Sequence, residues 1–141
     1  MYEQKILCAT DDTEPSEKAV TLAIAWAEML KQTLTFLTVT DGSETRFTVW
    51  DQAKIESGDL PVDAPLLSAL DRARQAGLTH LNCVRAAGPD IGQAIVTYAE
   101  KNHYHHIIAG SAGRSGTARF FKGSVAGDIV VLAHCPVTIA R

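Results

Sequence analysis

Short apolar runs alternate with longer amphipathic runs along almost this entire chain, and this alternation is the feature that most restricts its fold. "KILCAT" (5–10) is short and apolar and precedes "DDTEPS", a turn and helix-start signal, so it predicts a strand. Residues 15–31 carry apolar side chains at helical spacing, and a proline suits the first helical turn, where its missing N–H has no role. "LTFLTVT" (34–40) is β-branched and aromatic, which predicts a second strand.

The same pattern continues through the second half of the chain. Residues 64–76 have a helical apolar stripe that Gly77 is placed to end, because glycine accepts the left-handed conformation common after a helix. A third strand is predicted at 79–86, and Asp90 with Gln93 three residues later indicates the start of another helix. The chain therefore repeats the strand–helix unit.

The last part adds two strands and one helix. "HHIIA" (105–109) predicts the fourth strand, a helical stripe ends before Pro136, and "VTIA" (137–140) predicts the fifth strand. Nearly continuous apolar strands separated by helices are typical of a parallel sheet with both faces covered. The sequence therefore predicts an α/β fold with five strands.

Size, composition and charge restrict the class of protein further. A chain of 141 residues with 46% apolar and 21% charged residues is expected to form one globular domain, residues 1–141. Its net charge of -3 argues against a nucleic-acid partner. The N-terminus resembles no signal peptide and no apolar run is long enough for a membrane span, so no membrane partner and a cytoplasmic location are expected. Cys8 and Cys83 lie in strand-like runs and are interpreted as buried reduced thiols.

Residues 41–63 form the one long connection. They number more than the 2–6 residues usual between elements of a small α/β unit. The segment contains Phe47, Val49 and Trp50, so it is expected to lie against the functional site, a partner subunit or its own helix. Disorder of the isolated segment is the alternative.

A glycine-rich loop follows the fourth strand and is the main candidate for a binding site. It contains Gly110, Gly113 and Gly123 and leads into the last helix at Ser124. Glycines expose main-chain N–H groups, and a helix N-terminus carries a partial positive charge, so this arrangement suits a phosphate. The simpler interpretation is a turn with Ser124 as an ordinary helix cap. Three cations accompany the loop: Arg114, Arg119 and Lys122.

The sequence lacks the motifs of several other ligand sites that occur in α/β folds. No glycine precedes Lys-Ser or Lys-Thr as in a Walker loop, and "DDTEP" after the first strand lacks the glycines of a dinucleotide fingerprint. Asp11 and Asp12 would suit a phospho-receiver domain, but the required aspartate and lysine after later strands are absent. The histidines in "HYHH" (103–106) are completed by no cysteine or carboxylate motif, so no metal site is predicted there.

The loop spacing Gly110-x2-Gly113-x9-Gly123-Ser124 resembles the nucleotide-binding signature of the universal stress protein family. "KILCATDDTEPSEKAV", "AAGPDIGQAI" and "HCPVTIAR" are similar to the opening, the third strand exit and the closing strand of that family. The resemblance implies an open five-stranded parallel sheet in the order 3-2-1-4-5, with helices on both faces. This architecture is Rossmann-like and similar to that of the adenine nucleotide alpha hydrolases.

The resemblance also implies how ATP, or AMP or ADP, would be held. Asp11 would contact the adenosine end, and Val39 would meet the adenine through its backbone. Ala109 would lie with the first glycine of the loop at the exit of the fourth strand. Mg2+ or Mn2+ would accompany the phosphates, without protein ligands that we can name. The phosphates would be held by Gly113, Gly123, Ser124 and Val125, with Arg114 beside them.

Three positions depart from the family pattern. Asp12 replaces a common glycine, Ala109 stands where a larger apolar residue is frequent, and His105 occupies a usual aspartate position. Asp12 adds negative charge near a polyanion, and Ala109 implies a looser adenine pocket.

The family resemblance implies an ATP-binding stress-response regulator that acts as a homodimer through the closing strand, Val137–Ala140. Two alternatives remain open: a slow Mg2+- or Mn2+-dependent ATPase that uses the same site, and a dimeric stress module without nucleotide. An efficient hydrolase is disfavoured, because no side chain is evident as a base for an attacking water. No catalytic residue is therefore predicted.

Overall fold

The computed structural model describes residues 2–11, 13–111 and 125–141. Within these ranges six strands form one sheet: β1 (Lys5–Ala9), β2 (Thr33–Thr40), β3 (Arg46–Trp50), β4 (Leu81–Ala87), β5 (His106–Gly110) and β6 (Val137–Ala140). The same described residues contain five helices: α1 (Glu14–Leu30), α2 (Gln52–Glu56), α3 (Ala64–Gln75), α4 (Ile91–Lys101) and α5 (Val125–Leu132).

The strands lie in the order β3-β4-β2-β1-β5-β6. β1 pairs in parallel with β2 and β5, β2 with β4, and β5 with β6. The five predicted strands are therefore present in the expected order, and the α/β fold is confirmed. The order reverses between β1 and β5, because the chain leaves β1 toward one edge of the sheet and later fills the other edge.

Alternate side chains of the strands enter two separate cores, since successive residues of a strand point to opposite faces. α1 and α3 cover one face, and α4 and α5 cover the other. Fully buried strand residues on the α1/α3 face include Ile6, Cys8, Leu34, Phe36, Cys83 and Ile108. Their counterparts on the α4/α5 face include Leu7, Ala9, Leu37, Val84, Ile107 and Ala109.

The predicted helix signals are also confirmed. Gly77 has φ +90° just beyond the end of α3, the conformation for which glycine is suited. Asp90 accepts a hydrogen bond from the main-chain N–H of Gln93 at 3.0 Å and so caps α4. Among the described residues, no helix is long and apolar enough to cross a membrane.

The thiols of Cys8 and Cys83 are buried and free, as predicted. Burial raises the pKa of Cys8 and raises that of Cys83 to about 12, because the low-dielectric core disfavours a thiolate. Neither is a reactive nucleophile at neutral pH.

The predicted number of strands was one too few. β3 arises from the long segment 41–63 and pairs antiparallel with β4, with Arg46 opposite Ala87 and Trp50 opposite Cys83. The Phe47 ring packs against the Tyr98 ring of α4 at 5.0 Å between centroids. The segment therefore lies against the sheet edge and helices of its own chain.

A salt bridge attaches this segment to β4. Arg85 donates two hydrogen bonds to the Asp63 carboxylate, at 2.9 and 2.7 Å, and its guanidinium lies 5.1 Å from the centre of the Trp50 ring. The hydrogen bonds from Arg85 lower the pKa of Asp63, because they favour the ionised carboxyl. Ile55 of α2 is buried in the α1/α3 core. The segment 41–63 is thus attached to the rest of the chain at several points.

Candidate functional site

The predicted site residues in the described part of the chain converge on the carboxyl edge of the sheet. Asp11 follows β1 by two residues, Val39 is the penultimate residue of β2, and Ala109 and Gly110 end β5. These strands are neighbours in the sheet, about 4.8 Å apart. Open α/β sheets bind ligands at the carboxyl ends of strands where the strand order reverses, which here is the boundary between β1 and β5.

A hydrogen-bond network at the start of α1 holds the Asp11 carboxyl. Its Oδ1 accepts from the main-chain N–H of Thr13 at 3.2 Å, from the Thr13 hydroxyl, and from the Ser16 hydroxyl at 2.6 Å. The Ser16 hydroxyl in turn accepts from the Asp11 main-chain N–H at 3.1 Å. The carboxyl is therefore tied to the first helical turn through its Oδ1.

The main chain of Val39 is turned toward the crevice. Along a parallel strand the main-chain groups of alternate residues face opposite neighbours. Leu37 faces β1, because its carbonyl accepts from Thr10 N–H at 2.9 Å, and Thr40 faces β4, because its carbonyl accepts from Gly88 N–H at 3.1 Å. Val39 has the parity of Leu37, and it lies beyond the last paired residue of β1. Its N–H and C=O therefore point toward the end of β1, as the expected contact with a base requires.

Gly110 allows α1 to approach β5 closely. A Cβ built on Gly110 would overlap the carbonyl group of Pro15 in the first turn of α1. The absence of a side chain is thus required by packing between the two elements, independently of any anion. The neighbouring Ala109 is fully buried in the α4/α5 core, so its side chain contributes to that core.

The remaining predicted residues divide into two groups. Val125 begins α5 and is half-buried against the α4/α5 core. Its carbonyl oxygen lies 3.6 Å from the position of a Cβ built on Gly92 of α4, which shows how closely the two helices approach. Four predicted phosphate-binding residues lie outside the described residues: Gly113, Arg114, Gly123 and Ser124.

Thr13 and Ser16 are residues that the sequence reasoning missed. Their signal was present in the spacing "DDTEPS" (11–16). An aspartate two residues before a threonine suits a local turn in which the carboxylate accepts a main-chain N–H. A serine on the first helical turn can bond back to the preceding loop. The prediction treated these residues only as a helix-start signal.

Several cavities among the described residues lie away from the crevice, and two of them have a charged or polar lining that invites comparison. One, of about 740 Å³, runs over the outer face of α1 and is lined partly by Lys18, Leu22 and Arg72. It is an open groove of mixed charge and contains none of the predicted site residues. The other, of about 330 Å³, is lined by several polar residues, namely Glu100, His103, His105, His134 and Cys135.

The histidine-lined cavity contains a close contact between a histidine and a glutamate. The His134 Nε2 lies 3.3 Å from the Glu100 Oε2, and both side chains are more than half exposed. Within the described ranges, no group of three or more His, Cys, Asp or Glu residues has the geometry to hold a metal ion. The cavity therefore carries no metal assignment.

Comparison of the sequence with known families gives a match over nearly the full length. A family model described as the universal stress protein family matches residues 2–141. A curated universal stress protein of Methanocaldococcus jannaschii is 40% identical over 47 residues, which are 33% of this chain and 28% of that protein. The aligned region thus covers well under a third of the relative's length.

Solved structures show the same fold. A universal stress protein in complex with cAMP superposes with a TM-score of 0.69 at 24% identity, covering 98% of this chain and 96% of the other. A universal stress protein of Archaeoglobus fulgidus in complex with dAMP gives a TM-score of 0.66 at 22% identity, with both chains fully covered. At these identities the similarity establishes the fold.

Proposed function

The chain belongs to the universal stress protein family, and on that premise we propose that it is an ATP-binding regulatory protein of the stress response, active as a homodimer in the cytoplasm. The observation that carries this proposal is the position of the Asp11 carboxyl. It lies after β1, beside the reversal of strand order, and is held by Thr13 and Ser16. A fixed carboxylate at that point is suited to bind sugar hydroxyls.

The edge of the sheet supports one orientation of the nucleotide. The adenine would lie near β2, where the Val39 N–H and C=O point toward the crevice and can pair with the polar edge of a base. The ribose would lie over the end of β1 at Asp11. The phosphates would extend toward the glycine loop and the start of α5 at Val125, with Mg2+ or Mn2+ bound to the phosphate oxygens. ATP, ADP and AMP share the adenosine part that these described residues address.

The ligands of the related structures support the same class of molecule. One related structure contains cAMP and another contains dAMP. Both ligands have an adenine base, a sugar and one phosphate, so they share with ATP the adenine that Val39 would bind. We therefore assign an adenine nucleotide to this chain.

We assign Asp11 to binding and not to catalysis. Its Oδ1 accepts from the Thr13 N–H and from the hydroxyls of Thr13 and Ser16, so the carboxyl is held at the start of α1, beside the end of β1. A base for an attacking water would instead have to lie in line with the terminal phosphate, at the other end of the nucleotide. Slow hydrolysis at the same site is the alternative, and measurement of phosphate release tests it.

A second copy of the chain is the proposed partner at the β6 edge. The exposed apolar side chains of α5 lie next in sequence to this edge strand: Val130, Val131 and Leu132 are 55%, 80% and 41% exposed. An edge strand presents unpaired main-chain groups to a further strand. We propose that two β6 strands pair, while each crevice at the end of β1 stays within its own chain.

Titration calorimetry with ATP and Mg2+, after removal of bound nucleotide, tests the site. Asp11→Asn keeps the shape of the side chain but removes its charge, and we expect ATP affinity to fall at least about tenfold, as for a lost charge-assisted hydrogen bond. Asp51→Asn is the matched control, because Asp51 likewise accepts a main-chain N–H at the start of a helix, from Lys54 at 2.9 Å. It should leave the affinity unchanged.

Gly113→Val tests the phosphate part of the proposal. A side chain at this glycine should abolish ATP binding while the circular dichroism spectrum stays that of the wild type. Equal affinity in the variant and the wild type would refute the phosphate assignment. A wild-type protein that neither retains nor binds ATP would leave the nucleotide-free dimeric module as the function.

A further inference from the structure

The Asp11 carboxyl has an unusually well-defined attachment to α1. Its Oδ1 accepts three hydrogen bonds: from Thr13 N–H at 3.2 Å, from the Thr13 hydroxyl, and from the Ser16 hydroxyl at 2.6 Å. The Ser16 oxygen also accepts two hydrogen bonds, from Asp11 N–H at 3.1 Å and from the Thr13 hydroxyl at 3.4 Å. Ser16 therefore contacts both the main chain and the side chain of Asp11.

Ser16 is also the most enclosed member of this network. Its exposed fraction is 0%, whereas Asp11 and Thr13 are half-buried. Alanine would be the better helix former at this position and would bury no polar group. Both hydrogen bonds between the Ser16 side chain and Asp11 have donor–acceptor distances in the ordinary range. The buried hydroxyl is thus explained by what it does to Asp11.

We propose that Ser16 is a positioning residue that sets the orientation of the Asp11 carboxylate for recognition of the nucleotide sugar. This inference rests on the proposed function, since it concerns the same site. A carboxylate rotates about its Cα–Cβ and Cβ–Cγ bonds, and the two bonds with Ser16 restrict both rotations.

The physical benefit of this arrangement is preorganisation. A side chain that is ordered before binding loses little conformational freedom when the ligand arrives. The attachment to α1 also relates the carboxylate to the other wall of the crevice, because Pro15, next to Ser16, packs directly on Gly110 of β5. Ser16 therefore sets the carboxylate in relation to both β1 and β5.

The first test compares sugar discrimination in Ser16→Ala and the wild type. Affinities for ATP, 2′-deoxy-ATP and 3′-deoxy-ATP are measured by calorimetry. The wild type should prefer ATP over at least one deoxy analogue. Ser16→Ala should lose about tenfold in ATP affinity but little for that analogue, so that the preference largely disappears.

Thr35→Val is the matched control for simple loss of a buried hydroxyl. The Thr35 side chain is also fully buried and bonds to the Tyr104 hydroxyl at 2.8 Å, but it lies in the middle of the sheet. This variant should lose stability while it retains the wild-type ratio of ATP to deoxy-ATP affinity. An unchanged ratio in Ser16→Ala would overturn the proposal.

Ser16→Cys protects the test against a failure to fold. Sulfur preserves the shape of the side chain but is a weaker hydrogen-bond donor, so the variant should fold and show intermediate discrimination. Thr13→Ala removes a second donor to the same oxygen from a half-buried position and should have a smaller effect than Ser16→Ala. Wild-type discrimination in Ser16→Cys together with a larger loss in Thr13→Ala would contradict the assignment to Ser16.

A second measurement does not depend on nucleotide. The Hα–Hβ scalar couplings of Asp11 report its side-chain rotamer, and they should indicate one rotamer in the wild type and averaging in Ser16→Ala. If the wild type binds no nucleotide but this difference is found, the proposed function fails while the positioning by Ser16 stands. A single unchanged rotamer in Ser16→Ala would overturn the positioning itself.

Discussion

The outer strands at the two edges of the sheet differ in the contacts that they make. At one edge the chain adds β3, a strand that pairs antiparallel with β4 and is fixed by the Arg85–Asp63 salt bridge. At the other edge β6 is short and apolar, with half-buried Val137 and Ile139 and the exposed apolar residues of α5 nearby in sequence. One edge is thus attached by long-range polar contacts, and the other is suited to a partner.

The hydrogen-bond pattern makes the two edges comparable residue by residue. Pro136 and Ala140 face β5, because their carbonyls accept from Ile107 and Ser111. By alternation, the main-chain groups of Val137 point outward. In β3, Val49 points outward in the same way, since its partner residue Val84 faces β2. A valine on each edge thus offers a matched pair of positions for substitution.

The largest expected effect concerns the attachment of β3. Arg85→Ala leaves the largely buried Asp63 carboxylate without its two hydrogen bonds from arginine. We expect the free energy of unfolding to fall by about 3 kcal/mol, as measured by urea denaturation. Arg46→Ala is the control on the same edge, because its ion pair with Glu44 is exposed and should contribute under about 1 kcal/mol. Equal effects would show that the salt bridge does not fix β3.

The next effect concerns association through β6. Val137→Pro removes a main-chain N–H that points outward from β6, and it leaves the hydrogen bonds between β6 and β5 intact. In a two-fold symmetric dimer each chain carries the substitution, so two hydrogen bonds across the interface are lost. We expect dimer formation to weaken by about 2 kcal/mol, or about 30-fold, in sedimentation equilibrium. Val49→Pro makes the same exchange at the β3 edge and should leave association unchanged. Weaker association in Val49→Pro alone would assign the interface to β3.

A smaller effect is expected from the apolar surface of α5. Val131 is 80% exposed, and Val62, just before α3, is 83% exposed. If α5 contributes to the same interface, Val131→Ser should weaken the dimer by about 1 kcal/mol, or about fivefold. Val62→Ser should have no effect on association. The same sedimentation experiment measures both, and identical behaviour of the two variants would exclude α5 from the interface.

The smallest effect is a pH dependence at the β3 edge. The hydrogen bonds from Arg85 lower the pKa of Asp63 in the folded state. Its contribution to stability is therefore complete above the unfolded pKa of about 3.9 and is lost as the pH falls through the lower folded pKa. The stability difference between the wild type and Asp63→Asn should be constant above about pH 5 and shrink at acidic pH. A difference that grows on acidification would contradict this sign.

The two edges also show what could be predicted from the sequence. β6 was predicted because a short apolar run before the end of the chain has a local signature. β3 was missed although "RFTVW" (46–50) is aromatic and β-branched, because its place in the sheet depends on antiparallel pairing with β4, which lies more than thirty residues later. The contacts that fix it, such as Arg85 with Asp63, are likewise not encoded in any local pattern.

The candidate site likewise contains residues whose position could be predicted and contacts that could not. The location of Asp11 and Val39 followed from the strand order that the family resemblance implied, and the structure brings both to one edge. The role of Ser16 was not predicted, because its hydrogen bonds depend on how the turn after β1 meets the first turn of α1. The second function of Gly110, contact with Pro15, likewise depends on packing between distant elements.

Native mass spectrometry of freshly purified protein tests the central claim most directly, because it reports bound nucleotide and subunit number together. We predict a dimer that carries one adenine nucleotide on each chain, and much lower occupancy in Asp11→Asn at equal protein concentration. A wild-type protein that retains no adenine nucleotide, and acquires none when ATP and Mg2+ are added, would contradict the account.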